Sequence, residues 1–189
     1  LMLDLDSNIL VYSGSLGGNY EFKDFSTVFR TFLERDEKNS IIILSKTPID
    51  YLKNQINKYS LNIEKFKIIS ASFKDVYKYL QASDLGLIIY KKAFSTIGRS
   101  PTKLGEYWAS GIPTISLKGI GDLELIMSKY PFGGILVEKL NRDQLNKSFD
   151  FLNKANSKEK LRFAAKEYYH IDNGVEFYSN IYNELTNSN

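Results

Sequence analysis

One segment of the chain, residues 100–113 (SPTKLGEYWASGIP), carries residue types at a spacing that could do chemistry. Ser100 is a favoured residue for a helix N-cap and Pro101 suits the first helical position, so a helix should begin here. Gly111 can end that helix in a left-handed conformation, and Pro113 prevents it from continuing. The segment therefore predicts one short helix.

The start of this helix predicts an anion-binding site. We expect the free backbone amides of Thr102, Lys103 and Leu104 to face a crevice at the positive end of the helix dipole. Thr102 adds a hydroxyl and Lys103 a full positive charge, and both groups suit a diphosphate. The predicted ligand group is therefore phosphate.

Glu106 lies about one turn further along the helix, off the apolar stripe that Leu104 and Trp108 form. A carboxylate repels phosphate, so we interpret Glu106 as the acceptor for two vicinal sugar hydroxyls. Phosphates at the helix start and a ribose on Glu106 together fit a nucleoside diphosphate. The alternative is that Ser-Pro serves only as a cap and that Glu106 is a solvated helix residue.

Short apolar runs predict the strands that must hold this helix in place. The runs are Ile9–Ser13, Ile41–Ser45, Phe66–Ser70, Leu85–Tyr90, Thr114–Leu117 and Ile135–Val137. Amphipathic segments alternate with them, near residues 22–35, 49–59, 74–82, 102–110 and 121–129. This alternation predicts an α/β fold, a Rossmann-like doubly wound parallel sheet of about six strands. Ligands of such sheets bind beyond the carboxyl ends of the strands.

Three parts are expected along the chain. Residues 1–7 form a lead-in, and residues 8–140 form the Rossmann-like domain. From residue 141 to residue 189 the strands stop, and apolar stripes such as Leu145, Phe149 and Leu152 predict a helical C-terminal tail of the same domain. We interpret the chain as a fragment of a longer protein.

Composition narrows the class of protein. A chain of 189 residues with 43% hydrophobic residues can bury one core. The net charge of +3 comes from scattered Lys and Arg, which argues against a nucleic-acid binder. No apolar run approaches the roughly 20 residues of a membrane span, and no secretory signal is evident. There is no cysteine, and the one histidine is His170. We therefore expect a cytoplasmic protein without a disulfide, thiolate or multi-histidine metal site.

The 100–113 segment resembles the donor-site helix of retaining GT-B glycosyltransferases of family 4, the group 1 enzymes of bacterial surface-polysaccharide synthesis. The resemblance extends to residues 80–90 (LQASDLGLIIY) and 11–17 (VYSGSLG), and downstream to 119–122 (GIGD) and 133–137 (GGILV). It implies one half of a GT-B fold, the C-terminal domain that binds a nucleotide sugar. The sugar would pass, with retention of configuration, to an acceptor held mainly by an N-terminal domain.

The resemblance also implies a role for each part of the donor site. Glu106 would hold the ribose, Thr102 and Lys103 the diphosphate, while the 14–18 loop would face the phosphates and residues 70–72 the nucleobase. The residues expected at the donor are Glu106, Lys103, Thr102, Ser100, Arg99, Gly98, Leu104, Gly14, Gly17, Lys46, Ser70 and Ala71. No metal or other cofactor is expected, because amides, Lys103 and the helix dipole would stabilise the leaving group.

Two positions depart from the family's pattern. Gly98 stands where a glutamate usually lies near the transferred sugar. The Arg and Lys pair that usually follows the first strand is not evident; Lys23 or Lys46 could replace one basic residue, and Arg99 the other. Gly98 therefore leaves open a second hypothesis, a non-catalytic module that binds a nucleotide sugar or supports a partner.

A dinucleotide oxidoreductase is a third hypothesis for a similar sheet. The first strand lacks the G-x-G-x-x-G turn and the later ribose-binding acid, which disfavours it. The expected partners are thus a nucleotide sugar and an N-terminal acceptor-binding domain of the same chain. Peripheral association of that half with the inner face of the membrane stays open.

Overall fold

The computed structural model describes residues 8–17, 20–91, 93–154 and 157–187, so the predicted lead-in lies outside it. One parallel sheet runs through the described chain in the order β3-β2-β1-β4-β5-β6. Its strands are β1 Ile9–Ser13, β2 Ser40–Leu44, β3 Phe66–Ile69, β4 Leu85–Ile88, β5 Thr114–Leu117 and β6 Gly134–Val137. The predicted Rossmann-like doubly wound sheet is confirmed.

Helices cover the sheet and continue into the C-terminal tail. They are α1 Phe22–Leu33, α2 Ile49–Lys58, α3 Val76–Gln81, α4 Thr102–Ala109, α5 Leu123–Lys129, α6 Arg142–Lys154, α7 Lys158–Tyr169 and α8 Ile171–Asn187. Helix α6 packs on α1, where the rings of Phe32 and Phe149 lie 5.3 Å apart, and α7 packs on α4. The side chain of Leu152 lies outside the described residues. Helix α8 has no buried residue.

The strand order places a topological switch beside β1. The chain first adds β2 and β3 on one side of β1 and then returns to add β4 on its other side. Ligands of doubly wound sheets bind in the crevice where the strand order reverses. The loop after β1, the segment after β4 and the start of α4 therefore belong to the region where a site is expected.

Some predicted strands and helices extend beyond the observed elements. Strand β4 ends at Ile88, because its pairing with β5 stops there while the buried chain continues to Tyr90. Helix α5 begins at Leu123 because Gly121, with φ +48°, leaves the helical region. A Cβ atom at Gly121 would overlap the carbonyl of Arg99, so this turn packs closely against the segment before α4.

The prediction that Ser100 caps α4 is wrong. Pro101 occupies the N-cap position, and no side chain caps the helix. The Ser100 hydroxyl instead donates a hydrogen bond to Asp122 Oδ2 over 2.8 Å. Ser100 thus connects the start of α4 to the loop before α5.

The end of α4 follows the prediction. Gly111 has φ +80°, and its amide donates to the Trp108 carbonyl over 2.8 Å. The Ile112 amide donates to the Tyr107 carbonyl over 3.0 Å. These two bonds form a Schellman motif, which requires a left-handed residue at the position of the glycine.

A glycine in β4 lets α4 approach the sheet. A Cβ atom at Gly86 would lie 2.8 Å from the ring of Tyr107, which is fully buried. The Tyr107 hydroxyl accepts a hydrogen bond from the Ser13 amide at 2.9 Å and donates to the Leu87 carbonyl at 3.3 Å. Burial raises the pKa of Tyr107, so its proton stays in place. Tyr107 therefore fixes α4 against both β1 and β4.

Gly86→Ala should lower the free energy of unfolding by about 1–3 kcal/mol, because the added methyl group overpacks the Tyr107 ring. Gly98→Ala is the matched control: a Cβ atom there meets no atom within 4 Å, and Gly98 has no positive φ. The control should change stability by less than about 1 kcal/mol. Urea unfolding measures both variants, and equal losses would contradict the close approach at Gly86.

Candidate functional site

The ammonium of Lys103 lies among three tyrosine rings. Its Nζ is 4.7 Å from the ring centroid of Tyr12, 4.8 Å from that of Tyr20 and 5.8 Å from that of Tyr90. It also donates a 3.4 Å hydrogen bond to the Tyr12 hydroxyl, which in turn donates to the Ser15 carbonyl over 2.8 Å. We call Tyr12, Tyr20 and Tyr90 the aromatic cage.

Gly14 provides the space for this lysine. A Cβ atom at Gly14 would lie 2.4 Å from Lys103 Nζ, and the glycine has φ +140°, which other residues rarely adopt. The ammonium therefore lies directly against the loop that follows β1. The sequence suggested Lys23 or Lys46 as a basic group here; Lys23 lies exposed on α1, and Lys103 itself reaches the loop.

Burial perturbs the two charged groups of α4. Desolvation lowers the pKa of Lys103 to about 8, and the nearby Glu106 carboxylate acts against this shift. Desolvation raises the pKa of Glu106, and Lys103 acts against that shift. Charges that have lost part of their water interact more strongly with a charged ligand.

A pocket of about 270 Å³ lies beyond the ends of β1, β2 and β3. Its lining includes Gly14, Lys46 and Ala71, three of the predicted site residues. Phe73 lies at its edge with 88% of its surface exposed. Ser70 directly follows β3 and precedes Ala71, so the structure brings the predicted 70–72 segment to this pocket.

Thr102 and Glu106 line a second concave region, a groove of about 570 Å³ between α4 and α7. Arg162 and Lys166 of α7 line it as well. The two helices come close because Gly105 has no side chain: a Cβ atom there would lie 2.7 Å from the ring of Tyr169. Glu106 therefore faces a groove with cationic side chains on its far wall.

Fewer backbone amides at the start of α4 are free than the sequence predicts. The Leu104 amide donates to the Pro101 carbonyl over 3.0 Å, so the prediction that it is free to bind phosphate is wrong, and Leu104 is fully buried. The cause is a tight first turn in which the third helical amide already finds an acceptor. The amides of Thr102 and Lys103 belong to the same first turn and have no acceptor four residues back within the helix.

The remaining predicted residues lie around this centre. The guanidinium of Arg99 lies 4.9 Å from the ring centroid of Tyr90. Gly98 faces open space. Gly17, with φ +111°, pairs with Tyr20 through two backbone hydrogen bonds, and Gly18 lies outside the described residues.

The sequence interpretation missed the aromatic cage. Tyr12 and Tyr90 lie in apolar runs that predict strands, and Tyr20 lies beyond the 14–18 loop to which the resemblance assigns a role. Position along the strands is the signal that could have revealed them. All three lie at or after the carboxyl ends of β1 and β4, which are neighbours in the sheet.

Within the described ranges, no three His, Cys, Asp or Glu side chains are grouped so that they could hold a metal ion. In the same part of the chain, none of the helices combines the length and the apolar character needed to span a membrane.

No protein-family model matches the chain, and comparison with curated proteins gives no match. Solved structures do match. AviGT4, a glycosyltransferase involved in avilamycin A biosynthesis, gives a TM-score of 0.72 at 15% identity, over 96% of this chain and 52% of AviGT4. A TarM variant from S. aureus, in complex with UDP, gives 0.67 at 17% identity, over 92% of this chain and 35% of TarM.

A third match is to the C-terminal domain of a glycosyl transferase group 1 family protein from Francisella tularensis. Its TM-score is 0.59 at 17% identity, over 84% of this chain and 80% of that domain. The chain has the fold of a C-terminal GT-B glycosyltransferase domain. This GT-B domain spans 52% of AviGT4 and 35% of TarM. The fold implied by the sequence resemblance is thereby confirmed.

Lys103 should make the stability of this GT-B domain depend on pH. Its pKa is about 8 in the folded chain, below its ordinary value of 10.5. Because the folded state releases the proton first, the free energy of unfolding should rise with pH between about pH 8 and about pH 10. Urea unfolding of wild type and Lys103→Met over this range isolates the contribution. A difference between the two proteins that stays constant with pH would contradict a desolvated lysine.

Proposed function

We propose that this GT-B domain binds the nucleotide-sugar donor of a retaining glycosyltransferase, of hexosyltransferase type, in the synthesis of bacterial surface polysaccharide or another glycoconjugate. The observation that carries the proposal is the position of Lys103, whose ammonium lies beside Gly14 at the switch between β1 and β4. Glu106 follows one turn later on the same helix. The presence of UDP in the TarM structure supports a nucleoside diphosphate as the ligand class.

The diphosphate would bind at the start of α4. Lys103 supplies a full positive charge, the first-turn amides supply donors, and the positive end of the helix dipole points the same way. Arg99 also contacts the Tyr90 ring and adds a second cation nearby. These groups are suited to stabilise the negative charge that develops on the leaving diphosphate, so the proposed donor site requires no metal.

The nucleoside would lie between Glu106 and the pocket at the strand ends. The carboxylate of Glu106 can accept hydrogen bonds from two vicinal ribose hydroxyls, which are stronger when the acceptor is charged. The pocket beside Ala71 holds about 270 Å³ and carries the exposed ring of Phe73, a surface on which a base can stack. We assign the nucleobase to this pocket.

A second domain would complete the enzyme. Helix α8 exposes Val175, Tyr178, Tyr182 and Leu185, each between 59% and 66% accessible, at helical spacing. A contiguous apolar face of this kind marks an interaction surface. We propose that an acceptor-binding domain of the same longer chain packs there and receives the sugar.

The open space at Gly98 favours a second candidate, a module that binds the nucleotide sugar without transferring it. No side chain at this position reaches toward the sugar, where the family usually has a glutamate. An assay of the chain together with an acceptor-binding half separates the two candidates. Release of nucleoside diphosphate from the bound donor supports the enzyme, and binding without release supports the module.

Calorimetric titration with UDP, GDP, ADP and CDP, first without metal and then with magnesium, tests the proposed site. We expect one of them to bind without metal. Glu106→Gln should then weaken binding by about tenfold or more, because charged hydrogen bonds to the ribose are lost. Glu176→Gln, on exposed α8, is the matched control and should bind as wild type does. Binding of none of the four nucleotides would contradict the proposal.

Lys103→Met should distinguish the contribution of the phosphates to binding from that of the nucleoside. The variant should bind the preferred diphosphate about tenfold or more weakly, while its affinity for the corresponding nucleoside stays nearly unchanged, because only the diphosphate contacts the ammonium. The same calorimetric titrations give both affinities. Equal losses for the two ligands would remove the phosphate assignment of Lys103.

A further inference from the structure

The aromatic cage is assembled from three separate segments of the chain. Tyr12 lies in β1, Tyr20 in the loop after it and Tyr90 two residues beyond β4. The ring centroids of Tyr12 and Tyr20 are 6.4 Å apart, and those of Tyr20 and Tyr90 are 5.1 Å apart. Three faces therefore surround one ammonium, the arrangement in which cation–π attraction is strongest when water is excluded.

Backbone pairing and an ion pair hold the outer walls of the cage. Tyr20 exchanges two hydrogen bonds with Gly17, at 2.9 and 3.2 Å. The next residue, Glu21, pairs with Lys91 over 2.5 Å, and Lys91 directly follows Tyr90. The two segments that carry Tyr20 and Tyr90 are thus joined at the surface. The cage is fixed by contacts that do not involve Lys103.

The charged and titratable groups around Lys103 are few. Glu106 lies on its own helix, the three cage hydroxyls belong to the loops and strands opposite, and Arg99 reaches Tyr90. Burial raises the pKa of Tyr90 to about 12, so this ring stays neutral near pH 7. The ammonium is therefore positioned by ring faces, with Glu106 as its nearest charge on the same helix.

A flexible lysine side chain loses conformational entropy when it is immobilised on a ligand. A lysine already held beside the ligand site avoids that loss at the moment of binding. Gly14 and the aromatic cage together fix the ammonium against the loop that follows β1. The geometry thus meets the requirement for a preorganised cation.

We propose that the aromatic cage preorganises Lys103 as the phosphate-binding cation and that Tyr20 is the positioning residue that closes it; the identity of the ligand rests on the proposed function. Tyr12 also belongs to the core, where it contacts Phe25 at 4.5 Å between ring centroids, and Tyr90 is 7% exposed. Tyr20 reaches Lys103 from a loop and is only partly buried. It is therefore the cage residue that can be changed with least effect on folding.

Tyr20→Leu and Tyr20→Phe test the inference in two ways. In ligand-free protein with labelled lysines, the Lys103 side-chain methylene next to the ammonium should show an upfield ring-current shift, assigned with Lys103→Met. Tyr20→Phe should keep most of this shift and Tyr20→Leu should lose part of it.

Titration with inorganic pyrophosphate and UDP measures binding. The Kd should stay within about twofold of wild type for Tyr20→Phe and rise about threefold to tenfold for Tyr20→Leu.

Tyr59→Leu is the matched control, since Tyr59 is also partly buried, has Lys58 Nζ 5.8 Å from its ring centroid, and stacks on Phe22 rather than on a cage tyrosine. It should leave both readouts unchanged. If the wild type binds and Tyr20→Leu binds with the same affinity, this inference alone is overturned. The same holds if Tyr20→Phe loses as much affinity as Tyr20→Leu. Failure of the wild type to bind either phosphate compound would overturn the proposed function together with it, whatever the ring-current shift.

Discussion

The close contact between Tyr107 and Gly86 is the constraint on which the rest of the site depends. It allows α4 to lie directly on the sheet, and the Tyr107 hydroxyl then connects the helix to the Ser13 amide and the Leu87 carbonyl. Ser13 ends β1, and Leu87 belongs to β4, so this one side chain sets the helix at the switch in strand order. A larger residue at position 86 would move the helix start, and with it every group that the start carries.

Two kinds of environment result from this placement. At the start of α4, Lys103 is enclosed by rings and by Gly14, so its charge is desolvated and its pKa falls to about 8. One turn further along the helix, Glu106 borders an open groove whose far wall carries Arg162 and Lys166. Because the two groups are one helical turn apart, each weakens the shift that burial imposes on the other. A short helix thereby presents a cation and a carboxylate at a fixed separation.

Much of the fold could be predicted from the sequence. The alternation of apolar runs and amphipathic segments identifies all six strands, and the bounds of β1 and β5 agree with the structure. Glycine and proline at positions 111 and 113 correctly mark the end of α4, because the left-handed turn depends on local backbone geometry. The helix start could not be predicted in the same way: Ser100 is a good cap by type, but Asp122 is near it only in the folded chain.

The candidate site was predictable only where its chemistry is local. Lys103 and Glu106 follow from residue type and helical spacing. The aromatic cage depends on which strands become neighbours, so Tyr12, Tyr20 and Tyr90 could not be grouped without the strand order.

The backbone and the contacts of Gly14 limit which substitutions positions 14 and 103 can accept during evolution. The Lys103 side chain fills the space above this glycine, so even a methyl group there would overlap the ammonium. A shorter residue at 103 would leave this space empty, but it would not admit a larger residue at 14, because the backbone there, with φ +140°, strains any residue other than glycine. Position 14 is therefore restricted to glycine by its own backbone and also by a lysine 89 residues away in the sequence.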